Sequence, residues 1–476
     1  MKRLIWFRND LRISDNQAVH AACKNNIDSK ILAIFLAPIQ QWKKYHISAK
    51  QINFIYENLS YLEEKLWEID IHLIYHECTD FEDCINFLIY FCKNENIKEI
   101  FYNRQYEFDE KNRDFKLENI LKSHGVDCKK FDNTLIFKPG TILNKKKNLY
   151  RRYIPFKKKF LKKLAKNTYK LLKYPKKFTF KKFTKNTCVP NFYQSKFFKA
   201  GEQSALNHLT FFLKNLSKNY NNTRKIFHNT DSTSNLSPYL TIGVLSPQQC
   251  FCILNNLYPN FLEKKHFSLY WFDQIIWREF YQHIIYGYPL LSMNQPFIKW
   301  TEDIKWKNNI YQIEAWKSGE TGYPLIDATM RQLNTTGWIH NRLRMISASF
   351  LTKNLLVNWK IGEEYFMSKL LDGNFSANNS GWQWCASTGI HITPYFRIFN
   401  PSLQGRLYDI KGKFIKKWLP ELRDVPNKYI YTPYNWTKSK KYQLKYPKPI
   451  IDYNYSKKNA ILEYSKAKEK NNKQNK

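Results

Sequence analysis

The chain has 476 residues, 43% of them hydrophobic, which is long enough for two globular domains that each bury a core. Lysine and arginine outnumber aspartate and glutamate by 77 to 40, a formal charge of +37, while 17% of residues are aromatic and 14 are Trp. No stretch reaches the length of a membrane span, and the charge suits a protein that meets polyanions, although a coding bias toward Lys, Asn and Ile produces a similar excess without selection for binding.

Met1-Lys2-Arg3 leads into an apolar run too short for a signal peptide. The nine cysteines, scattered from Cys23 to Cys385, show neither a disulfide framework nor the spacing of a metal site. A soluble protein of the reducing cytoplasm is expected, with no metal. Residues 3–7, 30–36, 71–75 and 98–102 are short apolar runs separated by helix-period segments such as 48–68, the alternation of a parallel sheet covered by helices. No Gly-x-Gly-x-x-Gly opens the first helix, so a nucleotide binds elsewhere. In WFRNDLRISDN, residues 6–16, the charges Arg8, Asp10, Arg12 and Asp15 suit ion pairs that tie the end of the first strand to the next helix.

Residues 136–200 hold a basic and aromatic run, KKKNLYRRYIPFKKKFLKKLAK followed by KYPKKFTFKKFTK, and read as a linker with a solvated face. Beyond about residue 200 helical periodicity dominates. The predicted organisation is an α/β domain over 1–135, a linker over 136–200, an all-α domain over 201–455 and a polar tail over 456–476 that frays. The segment Thr233-Ser234-Asn235-Leu236-Ser237-Pro238 clusters the hydroxyls of Thr233, Ser234 and Ser237 just before a helix-like stretch, where side-chain oxygens and free N–H groups suit a phosphate. In YWFDQIIWREFYQHI, a helical reading puts Gln274, Trp277, Arg278 and Tyr281 on one stripe.

Residues 321–400 are the richest stretch. Read as a helix, Trp338 to Trp359 lines up Trp338, Asn341, Arg342 and Met345, a mixture that packing alone does not call for. The following residues read as a loop turning on Gly373 and Gly381, with Asp372, Asn378 and Asn379 ahead of Trp382 and Trp384, suited to a flat ligand.

The stretch from Trp271 to Pro426, together with WFRNDLRISDN, resembles the DNA photolyase/cryptochrome family. The resemblance implies an α/β domain with a parallel Rossmann-like sheet, joined by a long linker to an all-α FAD-binding domain. It implies light-driven repair of cyclobutane pyrimidine dimers: excited, fully reduced FAD lends an electron to a flipped-out dimer, the ring splits, and the electron returns. The rival readings are a cryptochrome-type photoreceptor, a photolyase specific for single strands, and a basic nucleic-acid-binding protein without enzymatic activity. The partner implied is damaged DNA, and the protein is expected to act as a monomer.

Carried over by position, Tyr220, Thr233, Ser234, Asn235, Leu236, Ser237, Trp271, Arg278, Arg344, Asp372, Gly373 and Asn374 are expected to hold FAD, with Asn378 facing flavin N5. Trp306, Trp359 and Trp382 match an electron-hopping chain. Arg224, Gln274, Trp277, Tyr281, Asn341, Arg342, Met345 and Gln404 match positions that meet DNA or the dimer, and Gln274 stands where a glutamate is usual. Asp109 and Glu110 match positions for a folate antenna. Since Asp109, Tyr45, Ser292 and Met293 replace the usual Asn, His, Cys and Lys, weak or absent folate binding is expected.

Overall fold

The computed structural model describes residues 2–24, 30–176, 189–190, 192–195, 197–228, 233–263, 266–390, 396–440 and 444–474. The chain divides into two compact units, Met1–Tyr220 with Ser234–Met293, and Asn221–Thr233 with Asn294–Lys476.

The first unit is built on a five-stranded parallel sheet of order β3-β2-β1-β4-β5, formed by β1 (Lys2–Phe7), β2 (Lys30–Pro38), β3 (His72–Cys78), β4 (Ile97–Asn103) and β5 (Asp127–Phe131). Central β1 and β2 are almost wholly buried because helices cover both faces, which is why they read as continuous apolar runs. The strand missed by the sequence reading is β5, whose sequence DCKKF has no apolar pattern. It is an edge strand, and lysines there blunt an otherwise open ladder. Helices α1 (Gln17–Cys23), α2 (Ala49–Glu68), α3 (Phe81–Asn94) and α4 (Phe108–Ser123) alternate with the strands. Asn16, Ser48 and Asp80 cap the first three of these by accepting from free N–H groups.

The charged residues after β1 form a buried knot. Arg8 pairs with Asp114 at 2.7 Å, and Arg12 donates to the carbonyls of Asp15, Asn133 and Gly243 and to the Asn133 side chain. Asp15 accepts from the Ser246 hydroxyl at 2.6 Å, and Ser246 in turn caps a helix with Gln249 through a capping box.

Within the segment read as a linker lies an ordered helix, α5 (Tyr153–Leu164), which buries Tyr153, Phe156, Phe160 and Leu164 along one stripe. Helices α6 (Glu202–Asn215), α7 (Pro247–Leu257) and α8 (Leu269–Gly287) belong to the same unit as the sheet. Phe156 of α5 packs against Phe280 and His283 of α8, each at 5.1 Å.

The second unit is helical, with α9 (Pro324–Thr336), α10 (Asn341–Ser349), α11 (Trp359–Lys369), α12 (Phe375–Ala386) and α13 (Tyr453–Gln474) around a core that includes Trp316, Phe350, Phe366 and Trp382. Asp327 near the start of α9 accepts from the N–H and hydroxyl of Thr321, the N–H of Gly322 and the hydroxyl of Tyr446. Gly322 has φ of +76° and lies so close to the Lys448 backbone that a Cβ would fall 2.4 Å from it, so only glycine fits.

Three expectations are corrected here. The continuous helix expected from Trp338 to Trp359 is two helices: Gly337, in the left-handed region, ends α9, His340 caps α10, and a π-turn at Phe350–Asn354 with Leu356 at φ of +51° breaks the run before α11. Trp338 therefore precedes the helix. The expected loop around Gly381 is helix α12, capped by Asn374, and a Cβ on Gly381 would meet nothing within 4 Å, so this glycine serves no close approach. The tail expected to fray is the helix α13, docked through Ser456, Ala460, Tyr464 and Ala467. Its Lys- and Asn-rich composition hid a narrow stripe of small residues and one tyrosine.

Candidate functional site

In the first unit α8 carries five of the expected residues, Trp271, Gln274, Trp277, Arg278 and Tyr281. Trp271 is buried and tilted against Phe212 at 5.7 Å, and Tyr220 sits edge-on to the same ring at 5.8 Å. Leu236 is buried, Asn235 adopts φ of +49°, and Ser237 begins the short helix Ser237–Thr241. Ser234 and Thr233 are half-buried beside them, although Thr233 groups with the second unit. Arg278 donates to the carbonyls of Thr134 and Leu240 at 3.1 and 3.3 Å, and burial lowers its pKa.

One turn earlier on α8, the half-buried side-chain amide of Gln274 makes no hydrogen bond among the described residues. Trp277 is stacked on Tyr153 of α5, rings 3.5 Å apart and within 8° of parallel, and Tyr281 leans on Trp277 at 5.4 Å. The Tyr153 hydroxyl donates to the Asp273 carboxylate, which also pairs with Lys157 at 2.8 Å. One face of Trp277 is thus fixed by protein. Sequence reasoning missed Tyr153 because it sits in the segment read as a linker.

Asp109 and Glu110 open α4. The Tyr45 hydroxyl donates to Asp109 at 2.7 Å, and Glu110 is pushed up to about 8, by burial first and then by repulsion from Glu107.

In the second unit, Arg344 grips both oxygens of the nearly buried Asp372 at 3.0 and 2.7 Å while donating to the Ile339 carbonyl. This two-point pair joins α10 to the turn holding Gly373. Asn374 caps α12 and accepts from Ser376 as well. Asn378, one turn on, donates its amide to the carbonyl and carboxyl of Glu363 on α11. Its Oδ1 has no partner among the described residues. Nothing in the sequence points to Glu363, which is 4% exposed and pushed up to about 7 by burial.

Asn341 is exposed at the start of α10. Arg342 lies over the Tyr408 ring at 4.5 Å and donates to Gln404 at 3.4 Å, while Met345 is half-buried against the core. Burial lowers the pKa of Arg342, and Arg397 and Arg224 lower it further. Arg397 and Arg224 are therefore each near enough to repel Arg342, an arrangement that invites a polyanion. Trp382 packs edge-on to Phe366 and Trp316 at 4.9 and 6.0 Å, Trp359 is buried at the start of α11, and half-buried Trp306 meets Tyr464 edge-on at 6.1 Å. Among the described residues no group of three potential metal ligands comes together, and no helix is long and apolar enough to cross a membrane.

Residues 3–176 match the family model described as DNA photolyase, and residues 271–466 match the FAD binding domain of DNA photolyase. The chain belongs to the DNA photolyase family. It is 44% identical to a deoxyribodipyrimidine photo-lyase of Buchnera aphidicola subsp. Baizongia pistaciae and 40% identical to that of Escherichia coli K12, each alignment covering 98% of both chains. Among solved structures, a bacterial class III photolyase from Agrobacterium tumefaciens superposes with a TM-score of 0.85 at 28% identity over 98% of each chain. An archaeal photolyase from Sulfolobus tokodaii with two FAD molecules gives 0.80 at 28% identity, covering 98% of this chain and all of that one.

Proposed function

We propose that the protein is an enzyme that uses light to split cyclobutane pyrimidine dimers in DNA, a carbon-carbon lyase working in the cytoplasm as a monomer. The observation that carries this reading is full-length identity of 40–44% to relatives named deoxyribodipyrimidine photo-lyase, with a matching FAD-binding domain. The residues fit the cofactor: Asn378 has an open Oδ1, and the Nδ2 of Asn379 is buried without a partner among the described residues. Tyr220, Thr233, Ser234, Asn235, Leu236, Ser237, Trp271 and Arg278 of one stretch, and Arg344, Asp372, Gly373, Asn374 and Asn378 of the other, would hold FAD. When bound and reduced, FAD supplies the light-excitable electron donor.

The chain's own contribution is recognition and positioning. Trp277, held by the Tyr153 stack, packs its indole against the flipped dimer, and Met345 offers soft apolar contact. Gln274 donates its amide to a dimer carbonyl, holding charge that grows there. Asn341 and Tyr281 line the dimer, and Arg224, Arg342 and Gln404 meet the phosphodiester backbone. Asn378, with both hydrogens given to Glu363, presents an acceptor rather than a donor to the flavin edge. Trp306, Trp359 and Trp382 would offer indoles along which an electron from an external reductant could reach the bound FAD.

The test is repair of a dimer-containing duplex by purified protein loaded with FAD, in light and in darkness. Repair in light alone is expected. Repair in the dark, or protein that stays colourless after FAD is supplied, contradicts the reading.

A further inference from the structure

The second unit buries a lysine that the chemistry above does not use. Lys353, 1% exposed, lies in the π-turn Phe350–Asn354. Its ammonium donates to the Ser387 hydroxyl at 2.8 Å and the Arg397 carbonyl at 2.7 Å, and sits 4.4 Å over the Phe396 ring. It has no carboxylate partner among the described residues. The charged or titratable groups facing it are the Cys385 thiol on α12 and Arg397. An ammonium desolvated against two neutral oxygens costs stability that a methionine of similar length would not.

That cost has a visible return. Ser387 is the left-handed residue ending α12, and Arg397 precedes Ile398 and Phe399, on whose ring its guanidinium rests at 4.5 Å. A single cation therefore ties two points ten residues apart, and the second is the backbone of an arginine that repels Arg342. The surroundings are braced: Tyr464 of α13 packs on Phe396 at 4.5 Å and donates to the Ala386 carbonyl at 2.6 Å.

We propose that Lys353 is a positioning residue for DNA binding: its buried ammonium, bridging Ser387 and the Arg397 carbonyl, holds Arg397 in the cluster with Arg342 and Arg224 where the three engage a phosphodiester. This rests on the reading of the protein as a DNA enzyme. Burial lowers the Lys353 pKa to about 8, the neighbouring Arg397 adding to the shift. The bridge is charged at neutral pH and weakens as the proton leaves, whereas the arginines stay charged throughout.

The test measures the dissociation constant of full-length protein for a dimer-containing duplex at fixed ionic strength from about pH 7 to about pH 9, for wild type and Lys353→Met. Wild-type affinity is expected to fall across this range. The variant is expected to bind roughly tenfold more weakly at the lower pH, with a flat profile and a thermal midpoint no lower than wild type. A merely structural lysine would lower the midpoint when lost and leave the profile unchanged. Equal affinity and parallel profiles overturn the proposal, and if the variant fails to fold, a flat wild-type profile overturns it. Wild type that does not prefer the dimer-containing duplex to an undamaged one overturns the functional reading itself.

Discussion

Asn378 gives its amide to Glu363 twice, at 3.0 Å to the backbone carbonyl and 2.9 Å to the carboxyl, so α11 decides which atom of Asn378 faces outward from α12. Burial pushes the Glu363 carboxyl up to about 7, above the ordinary carboxylate range. The folded protein therefore holds a proton there that the unfolded chain releases near pH 4 to 5. The stability that this carboxyl contributes is complete below the unfolded pKa and is lost as pH rises through about 7. Glu363→Gln removes the titration. Its unfolding free energy should change less than that of wild type between about pH 5 and about pH 8, the difference amounting to at most about 3 kcal/mol. Calorimetry across that range checks it, and parallel curves would refute the link.

Tyr153 covers one face of Trp277, and its hydroxyl is latched to Asp273. Tyr153→Phe keeps the stack and should preserve discrimination between damaged and undamaged duplex. Tyr153→Ala frees the indole and should reduce that discrimination roughly three- to tenfold, with little change for undamaged DNA. Equilibrium binding to both duplexes reads the ratio. Equal losses on both would mean general disruption rather than misplacement of Trp277.

Gln274 has an amide without a protein partner among the described residues, so its donor is available at any pH. Single-turnover repair yield should be nearly independent of pH in the alkaline range for wild type. Gln274→Glu should lose yield as the carboxyl ionises, and Gln274→Ala should lose about 1 to 3 kcal/mol of stabilisation at every pH. Three superimposable profiles would show Gln274 to be a spectator.

Asp109 is already engaged by Tyr45, whose ring lies edge-on to Phe81 at 6.2 Å, and Glu110 is pushed up to about 8. A folate antenna needs open carboxylates and a cation for its own acidic tail. Protein purified under mild conditions should release FAD and no folate on acid extraction. Folate at one equivalent would overturn this expectation.

Much of the scaffold was legible because its signals are local. Four buried strands read as apolar runs, and the stripe of Gln274, Trp277, Arg278 and Tyr281 falls on α8 as expected. The features that escaped depend on partners distant in sequence. β5 is polar because it is an edge, and α13 is held by Tyr464 and two alanines rather than by a broad apolar face. Asn374 caps α12, but glycine, asparagine and serine inside that helix resemble a turn until the helix has neighbours to pack on. Glu363 and Lys353 look like ordinary surface residues in sequence, and only their burial marks them.

Arg12 reaches carbonyls at Asp15, Asn133 and Gly243, and Asp15 reaches Ser246. A growing chain cannot complete that knot until more than 230 residues after Arg12 have been made. The strands alone would leave a guanidinium short of acceptors, so the sheet gains its last ties only when α7 arrives. Its closure then requires a long loop to be ordered at once, which slows folding and makes it cooperative over the whole first unit. A chain cut short anywhere before Gly243 would lack the far side of the knot, and proteolysis in the cell would find it open.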